Sequence, residues 1–218
     1  DELMPAFYRL IAGLRPGVDV PFTVRRGDQE VLVPVFDRSR EIAIAASQEF
    51  GAPLLDLDKV GVFGGSAGGH TALSFAGGAW SPARFRQHCE AHIADDFSSC
   101  VGFITRLHGN LLDGLKKWFA LAVIRHRFGD DTAYTHQDPR VQATVASVPF
   151  AADFDMASLA HPRIALGLVT AGMDVNQVPR FHSSAVLAAC QDRCTHVAHL
   201  SGASHGAMLS PMPPLHLL

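Results

Sequence analysis

Apolar positions follow two periods along this chain. Leu3, Phe7, Leu10, Ile11 and Leu14 fall at helical spacing and predict a helix over Met4 to Gly13, closed by Gly13 or Arg15-Pro16. Val18 to Val24 and Glu30 to Phe36 read as extended, with Arg26-Gly27-Asp28 between them as a hairpin turn. Ile42, Ala45, Ala46 and Phe50 predict an amphipathic helix over Arg38 to Phe50, ended by Gly51-Ala52-Pro53. Val60, Val62 and Phe63 form a short apolar run that reads as a buried strand, and Gly69 to Ala76 opens a helix. From Trp80 to Gln137 aromatic and charged residues mix at helical intervals: Phe85, Cys89, His92 and Phe97, then Leu111, Leu115, Phe119 and Val123. This stretch, about 80–138, reads as an α-rich excursion. Strands are then expected over Arg140 to Val148, Arg163 to Thr170 and Thr195 to Leu200, with a helix over Arg180 to Cys190. Strand and helix in turn imply an α/β chain built on a parallel sheet. Ser210-Pro-Met-Pro-Pro carries no regular pattern, and no internal repeat appears.

At 218 residues and 48% hydrophobic, the chain is long enough to bury one sizeable core, so a single domain over 1–218 is expected. A net charge of −3 without a basic stripe argues against nucleic acid as a partner. No apolar run approaches the length of a membrane span. Asp1-Glu2-Leu3-Met4 has neither the basic nor the apolar region of a signal peptide, which reads as a processed or truncated start. The four cysteines form two local pairs, Cys89 with Cys100 and Cys190 with Cys194. They permit disulfides and a secreted or periplasmic setting, with free cytosolic thiols as the alternative. Neither pair has the spacing of a zinc knuckle.

Gly64-x-Ser66-x-Gly68 lies between the strand at Val60 and the helix at Gly69. In that setting it is the pattern of a nucleophile elbow. A serine on so sharp a turn takes strained dihedrals, so the residues two before and two after it are expected to be small. The helix N-terminus behind it favours negative charge. No lysine follows as a phosphate loop requires.

A serine hydroxyl needs an adjacent base, and the base an orienting group. Asp174 ends the strand and turn Leu168 to Met173, and His205 follows the last strand in Gly202-Ala203-Ser204-His205. Both therefore come after the serine, each in a loop beyond a later strand. Asp153 and Asp155 are rivals for the acid. Of the twelve histidines, His70 lies on the elbow helix without facing the nucleophile. His88 and His92, near Asp95 and Asp96, have the spacing to hold a metal, although a solvated helix face accounts for them better. His108-Gly109 precedes no nucleophile and is set aside as an oxyanion loop.

These residues resemble the α/β-hydrolases, and more narrowly the predicted dienelactone hydrolase group of bacterial esterases, related to platelet-activating-factor acetylhydrolases. The likeness rests on Arg15-Pro16 with Asp19-Val20, on Leu55 to Leu73 around the elbow, and on Asp138-Pro139-Arg140-Val141 through Val148-Pro149 to Ser158-Leu159. Pro162 to Asp174 and Gly202 to His205 complete it. It implies an α/β-hydrolase fold, a mostly parallel sheet with helices on both faces. It also implies a serine hydrolase acting on a small-molecule carboxylic ester without metal or organic cofactor. Ser66 would attack, His205 carry the proton, Asp174 orient the imidazole, and the Ala67 N–H line the oxyanion hole. Only 58 residues precede Lys59, too few for the family's four earlier strands, so a shortened or rearranged chain is expected and the second oxyanion donor is unassigned. The excursion, with Trp80, Phe85, Phe97, Phe103, Trp118 and Phe119, would either cover the site and shape an apolar acyl pocket or pack as a small core. A thioesterase, amidase or acyltransferase with the same triad is one alternative. A catalytically weak binding protein is the other. Oligomeric state is not readable.

Overall fold

The computed structural model describes residues 21–26, 29–34, 59–102 and 104–207. The chain divides into two units, Asp1–Lys59 and Val60–Leu218. In the first, strands β1 (Pro21–Arg26) and β2 (Gln29–Pro34) pair antiparallel with Arg26 opposite Gln29. Antiparallel pairing is as expected of a hairpin, and the expected turn residues Gly27 and Asp28 lie outside the described residues. The helices expected over Met4 to Gly13 and Arg38 to Phe50, and the tail from Ser210, lie outside the described residues, as does Phe103.

The second unit carries a four-stranded, all-parallel sheet in the order β3-β4-β5-β6. The strands are β3 (Val60–Gly65), β4 (Val141–Ser147), β5 (Ala165–Ala171) and β6 (Thr195–Leu200). Parallel neighbours need crossovers. Here they are helix α1 (Ala67–Phe75), the excursion helices α2 (Pro82–His92), α3 (Phe97–Val101) and α4 (Leu112–Arg127), the short α5 (Met156–Leu159), and α6 (Ser183–Cys190). The α/β, parallel-sheet expectation therefore holds.

The core fixes which side the helices take. Leu73 of α1, Ala76 just beyond it, Leu159 of α5 and Val186 and Cys190 of α6 form one core cluster with Ala146, Leu166 and Leu168. Successive strand residues point to opposite faces, so these helices share one face of the sheet. The other face carries Phe63, Val145, Gly167 and Val197, and Phe63 and Val197 are exposed there. Among the described residues, then, helices cover one face rather than both.

Two further expectations change. Leu115, Phe119 and Val123 do fall on one helix, α4, with Leu111 just before it, but all four face outward, and that helix buries only Asp113 and Ile124. The small core of the excursion is instead Cys89, Cys100 and Ile124 with Phe85, Leu121 and Phe128 around them. The helix expected over Arg180 to Cys190 is interrupted. A 3₁₀ turn spans Pro179–Phe181, and His182 leaves helical geometry with φ −121° and ψ −101°. Its buried ring accepts the Ala151 N–H at Nδ1 (2.9 Å). The cysteines are disulfide-bonded, Cys89 to Cys100 and Cys190 to Cys194, in place of the free-thiol alternative. No described helix is long and apolar enough to cross a membrane.

Asp96, fully buried just before α3, ties the excursion to α6. It accepts from His88 Nε2 (2.8 Å) and His182 Nε2 (2.9 Å) at Oδ2, and from Ser99 Oγ (2.9 Å) at Oδ1. Burial alone would raise its pKa, but the bonds from His182, His88 and Ser99 outweigh burial and hold the carboxyl far below its usual range. A depressed carboxyl stabilises the fold fully above the unfolded value of about 4, and that contribution is lost as pH falls through the native value. Asp96→Asn is expected to cost about 3 kcal/mol at neutral pH. It should also flatten the loss of stability below about pH 4 in urea titrations.

Candidate active site

Ser66 joins the C-terminal end of β3 to the first turn of α1 with φ 56° and ψ −114°. That backbone region costs a non-glycine residue on the order of 1–3 kcal/mol and persists only where its surroundings enforce it. Three backbone bonds do so: Ser66 N–H to Ser147 O (3.0 Å), His70 N–H to Ser66 O (3.1 Å) and Phe150 N–H to Ser66 O (3.2 Å). The small-residue requirement falls unevenly. A Cβ on Gly64 would stand 2.1 Å from the Gly68 carbonyl oxygen, and one on Gly69 would stand 2.7 Å from Pro149 Cα. A Cβ on Gly68 would meet nothing within 4 Å.

Asp174 and His205 arrive from the ends of β5 and β6, whose extensions stay in contact. Gly172 N–H donates to Leu200 O (2.9 Å) and Met173 N–H to Ala203 O (3.0 Å). A Cβ on Gly172 would come within 2.6 Å of Ser201 O, so only glycine lets the loops approach this closely. His205 Nδ1 then lies 2.7 Å from Asp174 Oδ2 and Nε2 lies 2.9 Å from Ser66 Oγ. Asp174 is buried and accepts the Asn176 and Gln177 N–H groups at Oδ1, both at 2.9 Å. With Asp174 accepting from Nδ1–H, the His205 Nε2 lone pair faces the serine hydroxyl, the tautomer a general base requires. The structure thus brings together Ser66, Asp174 and His205, with Ala67 next in chain as the first residue of α1.

The rivals have other partners. Asp153 bonds His70 Nε2 (3.0 Å), while Asp155 caps α5 through the Ala157 N–H (3.2 Å) and pairs with Arg84 (3.2 Å). His108 and Gly109 donate their N–H groups to Asp113 Oδ2. His88 is not on a solvated face, since it is bonded to Asp96, and His92 lies against the Phe181 ring at 4.5 Å.

Gln177, which the sequence did not single out, reaches Ser66. Its side chain is nine-tenths buried, with Nε2 3.1 Å from Ser66 Oγ and Oε1 unpartnered among the described residues. Ser66 gives its proton to His205, so its second partner must be a donor, which sets the amide with NH₂ inward. Its position three residues beyond the acid was the one available signal.

His88, Asp96 and His182 present ligand atoms within 4.8 Å of one another, and with Ser99 they also repeat the residue types of a triad. Neither chemistry suits them. His182 Nδ1 already accepts the Ala151 N–H, so Nε2 carries the proton and has no lone pair for a cation or for Ser99. A metal-bound histidine would need a hydrogen-bond acceptor, not a donor, at its other nitrogen.

No family model, curated protein or solved structure matches the chain.

The uneven glycine constraint gives a paired expectation. Gly64→Ala should destabilise by about 3 kcal/mol or more through overpacking at the turn. Gly68→Ala, one helical turn position with open space, should stabilise by roughly 0.5–1 kcal/mol. Thermal melts of the two variants test this, and equal losses would refute it.

Proposed function

We propose that this chain is a serine hydrolase of α/β-hydrolase type that cleaves carboxylic esters through an acyl-enzyme. The observation that carries the reading is the continuous chain Asp174 Oδ2, His205, Ser66 Oγ at 2.7 and 2.9 Å, with the serine on a strained strand-to-helix turn. Ser66 Oγ attacks the ester carbonyl carbon as its proton passes to His205 Nε2, and the carbonyl π pair moves onto oxygen. The imidazolium that forms is stabilised by Asp174. Collapse of the tetrahedral species breaks the bond to the alcohol oxygen, which leaves with the proton from His205. Water then attacks the acyl-enzyme, again through His205, and releases the acid.

The developing oxyanion needs donors aimed at it. The Ala67 N–H at the α1 terminus is one. The Gln177 amide, whose Nε2 lies 3.1 Å from Ser66 Oγ, is our candidate for the second donor. Exposed Met173 and Val175 flank buried Asp174 and give the loop an apolar rim, which suits an apolar acyl or alcohol group.

A fluorophosphonate probe tests the nucleophile, because Oγ displaces fluoride from phosphorus only when activated. Labelling is expected on the Ser66 peptide and lost in Ser66→Ala and His205→Ala. Ester hydrolysis in His205→Ala should fall by about 10⁴-fold. No label on folded wild-type protein would overturn the esterase reading in favour of a binding protein. Faster turnover of thioester or amide analogues would redirect it within hydrolases. Gln177→Glu keeps the shape but removes both donors, and kcat should fall by about 10²-fold with KM little changed. An unchanged kcat would remove Gln177 from the oxyanion hole.

A further inference from the structure

We propose that the outer face of α4 docks the protein on an anionic lipid bilayer surface. Leu111, at the start of the helix, is fully exposed, and Trp118 and Phe119 are 66% and 63% exposed. Leu112, Leu115 and Val123 are exposed beside them. At about 100° per residue these six positions occupy an arc of roughly 140°, an apolar stripe of the width a core-facing helix buries. Among the described residues nothing covers it. Ile104, 90% exposed in the preceding loop, adds to the same segment.

The charge around the stripe identifies the partner. On the helical wheel Lys116 and Arg127 border the arc on one side and Arg125 on the other. From Ile104 to Arg127 the segment has five basic residues against one acid, a net of +4 in a chain whose total is −3. That acid, Asp113, is buried, bonded to Lys116 Nζ (2.9 Å) and to the His108 and Gly109 N–H groups. The Lys116 bond leads in holding its pKa down to about 2, so it stays ionised. Arg125 is paired with Glu90 (2.6 Å), whereas Arg106, Lys117 and Arg127 have no acidic partner among the described residues. A tryptophan, phenylalanine and leucine face with basic margins is the pattern of a helix lying in a bilayer interface. The ring faces enter the acyl boundary, and the cations reach lipid phosphates and carboxylates. At 16 residues α4 lies on the membrane and does not span it.

The test is co-sedimentation of the full chain with vesicles of phosphatidylcholine alone or with roughly 30 mol% phosphatidylserine. Binding to the mixed vesicles should be about tenfold tighter than to the neutral ones and should weaken as salt rises. Leu115→Asp/Phe119→Asp, at exposed positions, should keep the wild-type melting temperature and lose binding about tenfold or more. Arg106→Glu/Arg127→Glu should lose the preference for phosphatidylserine. Absence of sedimentation with either vesicle would overturn the proposal, as would equal binding to both or full binding by the Asp variant. A wild-type dimer that the Asp variant dissociates, without vesicle binding, would assign the face to a second copy instead.

Discussion

The backbone of Ser66 is held in a conformation that a serine does not choose, and the geometry around it follows from that. Its N–H and carbonyl are fixed by Ser147, His70 and Phe150, so the turn is anchored to the end of β4 as well as to its own helix. Gly64 and Gly69 leave the space that lets the chain reverse there. Because all four strands run parallel, the ends of β3, β4, β5 and β6 share one edge of the sheet, where open α/β sheets present their binding crevice. Loops of only a few residues then suffice to bring Asp174 and His205 to the serine. Val148, beyond β4, also takes positive φ (38°) while buried and bonded through its N–H to Val169 O (2.9 Å). Ser66 and Val148, two of the three non-glycine residues with positive φ among the described residues, thus sit on adjacent strand ends at this edge.

Much of this was legible in the sequence because it is local. The elbow spacing and each strand and helix depend on patterns within about ten residues, and the order of serine, acid and histidine follows once those elements are read. What escaped depends on distance. Nothing near Asp96 announces that His182 will meet it, and the helix break at His182 follows from a bond to Ala151 that no periodicity encodes. Periodicity did place Leu111, Leu115, Phe119 and Val123 on one face. It does not say whether protein covers that face, and the structure turns it outward. The elbow rule itself was half right. It demanded small residues on both sides of Ser66, yet the tight contact is a Gly64 Cβ against the Gly68 carbonyl, which leaves Gly68 free.

Two sets of serine, histidine and aspartate in one chain show why residue types alone do not define a site. In both, a buried carboxylate accepts from an imidazole and a hydroxyl lies 2.9 Å from the ring. The difference is one backbone N–H. Ala151 donates to His182 Nδ1 and forces the ring proton onto Nε2, toward Asp96 and Ser99. His205 has its carboxylate on Nδ1 and so offers Nε2 as a base. Ser99 turns its own proton to Asp96 or to the Asn176 carbonyl (2.8 Å), and all its partners are structural.

The set around Asp96 nevertheless bears on the geometry around Ser66. Ser99 holds the carbonyl of Asn176, and Asp96 Oδ1 accepts the Val178 N–H at 3.5 Å. These two bonds grip the residues on either side of Gln177. Asp174 grips the same segment from the other end through the Asn176 and Gln177 N–H groups. The loop that carries the acid and presents an amide to Ser66 is thus clamped between β5 and the excursion. A side chain bearing a buried Oε1 with no partner among the described residues would otherwise relax toward solvent and take its donor with it. The excursion therefore contributes to the site by stiffening this loop, through polar bonds made once at Asp96 and Ser99. Its wide apolar helix face is left free of that task, which is the condition for α4 to engage something outside the chain.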